Sequence, residues 1–161
     1  MEAQDRGLAF VGEGRCPLPG SQSTTEFTKL LVETVFALRL SVERANGSQS
    51  APPLSFFKYH TNDGRSVPCI TGLKNSFSLN GRLPGAQSRE GFSLEATIWS
   101  GGPPSLDRFA FDKPRPETSR AFHLGYSIAN GYAWMGADSA STFSPRELGE
   151  ELIAWYLDNG R

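Results

Sequence analysis

The chain predicts an α+β domain: an antiparallel sheet of about five to seven strands, with an N-terminal and a C-terminal helix packed on it. Three observations carry that expectation. Apolar residues recur with helical spacing only near the two ends. The stretch between them alternates with period two and is punctuated by Asn-Gly and Gly-Pro turns. Helices and strands are therefore segregated along the chain, which favours an antiparallel meander over a βαβ arrangement.

The first helix is expected over residues 23–44. Phe27, Leu30, Leu31, Thr34, Val35 and Leu38 fall at i, i+3, i+4, i+7, i+8 and i+11, the signature of a one-sided helix. Ser23 and Glu26 have the spacing of a capping box, and Asn46-Gly47 marks the stop. Leu38, Leu40 and Val42 also alternate, so a strand remains open there. Strands are expected at Leu54–His60, Val67–Leu73, Ser76–Leu79, Phe92–Trp99, Arg108–Phe111 and Ala121–Ile128. A further short one at Leu8–Val11 is also open. The clearest is Phe92–Trp99, where Phe92, Leu94, Ala96 and Ile98 alternate with Ser93, Glu95 and Thr97. One face should pack and the other meet water. Asn130-Gly131 predicts a two-residue type I′ turn into Tyr132–Met135. Ser144-Pro145-Arg146-Glu147 then opens a helix over 144–158, with a cap, a proline at the first position and a glutamate at the third. Phe27, Leu30, Leu31, Leu94, Ile98, Leu124, Tyr126, Leu148, Leu152 and Ile153 are the expected core.

A chain of 161 residues is expected to form one domain, 1–161, with residues 1–22 as a loosely ordered N-terminal segment. Net charge is −1, and neither half is polarised. Bulk electrostatics therefore do not favour nucleic acid. No apolar run reaches membrane-spanning length, and Met1–Arg6 has no apolar core of a signal peptide. Cys16 and Cys69 are the two cysteines. They are read as reduced thiols in a cytoplasmic protein, with a single bridge between them as the alternative.

Candidate chemistry is sparse, and each candidate has an ordinary structural explanation. Cys69 with His60 would make a thiol and its base, but Pro68 and Ile70 place Cys69 inside a strand. His123 lies opposite the apolar face of its strand and reads as a half-exposed sheet residue. Two cysteines and two histidines at wide spacing make no metal pattern. Asp107 and Asp112 could be paired carboxylates, yet they flank Arg108–Phe111 and read as charges at strand ends. Gly12-Glu13-Gly14-Arg15 lacks the Gly-Lys-Ser/Thr of a phosphate loop. Phe56–His60 interleaves aromatic and basic residues but reads as a core strand. No cofactor and no catalytic residue is expected.

The stretch from Ser100 to Arg120 differs. Proline-fixed loops with mixed charge can present groups to a partner at low entropic cost. Asp63, Arg65, Asp107, Arg108, Asp112, Lys113 and Arg115 are the candidate partner-binding charges, with Trp99 as the aromatic anchor. The same stretch also reads as a solvated connection, and Trp99 as a core residue ending its strand.

Gly125-Tyr126-Ser127-Ile128, Gly131-Tyr132-Ala133-Trp134 and Phe143-Ser144-Pro145-Arg146-Glu147-Leu148 together resemble the ends of small bacterial immunity proteins. Those proteins neutralise toxins delivered by polymorphic or contact-dependent systems. The resemblance is one of hairpin and helix style, so no binding residue is carried over from it. It implies a cytoplasmic inhibitor that binds one toxin domain. Against it stand a secretion chaperone or adaptor of similar helix–sheet–helix order, and a small enzyme with an unrecognised site.

Overall fold

The computed structural model describes residues 21–48, 53–60, 65–72, 74–83, 91–102, 114–129, 131–137 and 141–159. The order is α1 (Ser21–Gly47), β1 (Ser55–His60), β2 (Ser66–Thr71), β3 (Asn75–Arg82), β4 (Ser93–Ser100), β5 (Arg115–Ser127), β6 (Gly131–Gly136), β7 (Thr142–Phe143) and α2 (Pro145–Asn159). The α+β expectation holds: seven strands pair in sequence order as an antiparallel meander. The expected strands at Leu8–Val11 and Arg108–Phe111 lie outside the described residues, as do Cys16 and the N-terminal segment.

Helix α1 is longer than expected at both ends. Ser23, expected at the cap, is buried inside the helix, which already begins at Ser21. At the other end Asn46 replaces a strand partner. Its Nδ2 donates to the Leu54 carbonyl at 2.9 Å, and its Oδ1 accepts from the Leu54 N–H at 2.7 Å. These two hydrogen bonds tie the end of α1 to the residue before β1. The Leu38–Val42 stretch stays helical because Leu38, Ser41 and Val42 continue the buried row begun by Phe27, Leu30 and Thr34.

The core lies between one face of the sheet and the two helices. Ile70, Phe77 and Ile98 are neighbours on β2, β3 and β4; Leu94 opposes Phe122, and Leu124 opposes Trp134. All are buried. Of the expected core, Leu31 and Tyr126 are only half-buried. Trp134 sits at the centre, and its Nε1 donates to Thr34 Oγ1 at 2.8 Å. Thr34 in turn donates to the Leu30 carbonyl at 2.6 Å.

The closing hairpin exists, but its turn is not the one expected. Ser127 pairs with Gly131 and Tyr126 with Tyr132, so Gly131 already belongs to β6; Asn130 lies outside the described residues. A two-residue turn at Asn130-Gly131 would pair Leu124 with Ala137 and move Trp134 to the opposite face. A register change by an odd number of residues turns the whole strand over. Burying Trp134 with Leu124 excludes it. Gly131 keeps a positive φ of 71°, and Ile128, expected to face inward, is exposed in the turn.

The capping box of α2 forms as expected. The Ser144 N–H donates to Glu147 Oε2 at 2.8 Å, and the Glu147 N–H donates to Ser144 Oγ at 3.2 Å. Helix α2 then crosses α1 at Gly149. A Cβ there would stand 2.7 Å from Ala37 Cβ and 2.9 Å from the Leu38 nitrogen. Beside the crossing, Glu150 accepts from Arg44 at 3.1 Å and from Arg146 at 3.2 Å. These bonds, Arg44 first, hold its carboxyl below the ordinary glutamate range. The pair is exposed and contributes little beyond register.

Gly149→Ala should lower stability by about 1–3 kcal/mol, because backbone of α1 leaves no room for the methyl. Chemical denaturation of the single variant, and of the double variant with Ala37→Gly, checks this: the second change should recover part of the loss. Thr34→Val should cost about 1–3 kcal/mol by leaving the Trp134 indole N–H without an acceptor. Thr34→Ser, which keeps the acceptor, should cost less in the same assay.

Candidate protein-interaction site

The longest strand leaves an edge uncovered. Strand β5 pairs with β4 from Arg115 to His123, but pairing with β6 begins only at Phe122. Among the described residues, Arg115–Ala121 therefore has no strand on that side. The sequence reading ended the charged connection at Arg120; in the structure residues 115–120 are already strand. Pro114 and Pro116 suggested a loop. Proline removes a donor and is tolerated where the ladder has a free edge or a bulge, and both conditions hold here. Ile98 opposes Thr118 and Trp99 opposes Pro116, so Glu117 is the bulged residue. It accepts from Asn75 Nδ2 at 3.2 Å. Thr118, Arg120 and Phe122 already carried a period-two signal that could have extended the strand.

Where β6 ends, the edge opens into a notch of about 350 Å³ lined by Arg120, Phe122, Gly136 and Phe143 among others. Phe122 and Phe143 meet edge to face at 5.8 Å. Arg120 is pinned from the helix side. It pairs with Glu151 at 3.1 Å, and its guanidinium lies 5.3 Å from the Phe122 ring centre and 5.7 Å from that of Trp155. On the other face of the same strand, Ser119 and Ala121 are exposed. An extended peptide added here would meet backbone that no described strand pairs, the fixed cation of Arg120 and half-buried Phe143, with Phe122 buried beneath.

Of the sequence-derived candidates, Asp63, Asp107, Arg108, Asp112 and Lys113 lie outside the described residues. Trp99 and Arg115 lie on adjacent strands but are not brought together: Trp99 opposes Pro116 and Ser100 opposes Arg115, so their side chains leave the sheet on opposite faces. Arg115 is exposed. Trp99 is half-buried, with its Nε1 donating to Ser78 Oγ at 2.8 Å. Arg65 joins neither. It donates to Asn80 Oδ1 at 3.3 Å. Asn80 is four residues along β3 from Ser76, the partner of Trp99, which is roughly 13 Å of strand.

The face away from the helices is not simply a wet one. Thr97, expected to meet water, is buried together with Ser76, Ser78 and Cys69. This face also settles the thiol. Phe57 opposes Cys69 and His60 opposes Ser66, so Cys69 and His60 point to opposite sides of the sheet. They cannot act as nucleophile and base. Cys69 is a free thiol, and burial pushes its pKa up to about 12. Burial likewise raises the neighbouring Tyr59 hydroxyl above its ordinary value.

Among the described residues no helix is long and apolar enough to cross a membrane. No family model, curated protein or solved structure matches the chain.

Native Cys69 should resist alkylation at neutral pH and react only after unfolding. A folded pKa raised above the unfolded one gives stability that is complete below the unfolded value and is lost as pH climbs toward 12. Unfolding free energy measured from pH 8 upward should therefore fall less steeply in Cys69→Ala than in the parent.

Proposed function

We propose that this chain acts by binding a protein partner, as a bacterial, cytoplasmic immunity protein that neutralises a toxin enzyme. The single observation that carries the reading is the edge of β5 from Arg115 to Ala121, which no described strand covers and which runs into the notch at Phe122. An exposed edge recruits an extended segment through main-chain hydrogen bonds, and the alternating side chains select which one. Pro116 and the bulge at Glu117 blunt the outer half of the edge against indiscriminate pairing. Thr118–Ala121 remains for a specific one. The resemblance of the closing hairpin and helix to immunity proteins points the same way. In this reading the toxin contributes a strand or loop to the sheet, and Arg115 steers its approach through charge.

The test is co-expression with the product of the adjacent reading frame, followed by affinity capture and mass analysis. An immunity protein rescues growth and retains a folded toxin domain. Retention of an unfolded effector segment would favour a secretion chaperone instead. Arg115→Glu with Ser119→Lys alters two exposed side chains of the edge. It should weaken the complex at least about ten-fold, close to 1.4 kcal/mol, while leaving the denaturation midpoint unchanged. Turnover of a substrate by the purified chain would reject the reading.

A further inference from the structure

The outer side of α1 carries exposed apolar residues. Phe27, Leu30, Thr34 and Leu38 face the core, whereas Val32 is 63% exposed and Phe36 60% exposed. Val32, Phe36 and half-buried Leu40 follow one another at i, i+4 and i+8 along that outer side. Next to them lies a groove of about 410 Å³ between α1 and the start of α2, lined by Phe36, Leu40 and Pro145 among others. On its rim Arg44 and Arg146 both bond Glu150.

We propose that a second copy of this chain docks along α1, antiparallel, with the two-fold axis at Phe36. The argument is charge complementarity read against that axis. A two-fold contact must be self-complementary: if residue i meets j, then j meets i. With Phe36 facing the partner's Phe36, positions equally far before and after it face each other. Val32 then meets Leu40. Glu33 meets Arg39. Lys29 meets Glu43. Each is an apolar pair or an opposite-charge pair, and each occurs twice. All six residues lie within three, four or seven positions of Phe36, so they share one helix face. A parallel pairing would set Lys29 on Lys29 and Glu33 on Glu33, so the charges choose the antiparallel arrangement. Flanking charges of this kind determine orientation in paired helices. Arg39 and Glu43 already pair within one helix at 3.3 Å; docking lets each share its partner with the facing copy. The groove beside Leu40 receives the facing copy's Val32. The β5 edge belongs to the sheet, so the inference stands independently of the partner assigned to that edge.

Sedimentation of the full chain over a concentration series tests this. The wild type should pass from the 17.6 kDa species to twice that mass as concentration rises to about 100 μM. Phe36→Glu alters an exposed residue and should weaken association on the order of 100-fold without moving the denaturation midpoint. Glu33→Lys should weaken it too, by setting like charges face to face. The fourfold exchange Lys29→Glu, Glu33→Lys, Arg39→Glu and Glu43→Lys reverses every charge but keeps every complementary pair, so it should restore self-association. Mixed with wild type, however, it should form no heterodimer in native mass spectrometry, because every facing pair would then repel. A wild type that stays monomeric, a dimer indifferent to Phe36→Glu, or free mixing of the fourfold variant with wild type would each overturn the proposal.

Discussion

The buried indole of Trp134 is the constraint on which the rest of this fold depends. Its N–H has one acceptor, the hydroxyl of Thr34, and that hydroxyl is held in place by its own bond to the Leu30 carbonyl. A buried donor left unpaired is costly, so β6 must present Trp134 toward α1, and α1 must turn Thr34 toward the sheet. Phe27, one helical row away, meets the same indole edge to face at 5.6 Å and packs on Phe92 at 5.1 Å. One side chain thus sets the rotation of a helix and the register of a hairpin together.

The second helix is held by different means. Its start is local, a reciprocal cap between Ser144 and Glu147. Its position is set by the absence of a side chain at Gly149 against Ala37. Its far end is tied to the sheet by Tyr156, whose hydroxyl donates at 2.7 Å to the carbonyl of Asn75, the first residue of β3. Tyr156 also packs edge to face on Phe77, 5.9 Å away. Two helices and one sheet face therefore form a closed core. Among the described residues, the surfaces outside that core include the charged, apolar-striped side of α1 and the edge of β5 from Arg115 to Ala121. These two surfaces offer different chemistry. One presents side chains with alternating charge, and the other presents backbone.

Much of the fold was legible because its signals are short-range. The 3.6-residue recurrence from Phe27 to Leu38, the alternation from Phe92 to Ile98 and the Ser144 cap each involve neighbours a few residues apart. Trp99 and Arg115 were legible as residue types suited to an interface. Their placement on opposite faces of the sheet was not, because it depends on how β4 and β5 register around the bulge at Glu117. The edge itself was hidden by Pro116, which reads as loop unless one knows that the strand lacks a neighbour there.

By itself, the sequence determined the two helices, the inward face of β4 and the antiparallel meander, since helical and strand periodicities are properties of the local chain. It also determined the order of charges along α1, on which self-complementarity rests. Only the tertiary structure decided the register of β5 against β6, the burial of Thr97 and Ser78, and the separation of Cys69 from His60. The physical reason is the same in each case. Register is chosen by which side chains can be buried together across strands far apart in the chain, and the two-residue turn at Asn130-Gly131, favourable in isolation, gives way to the burial of Trp134.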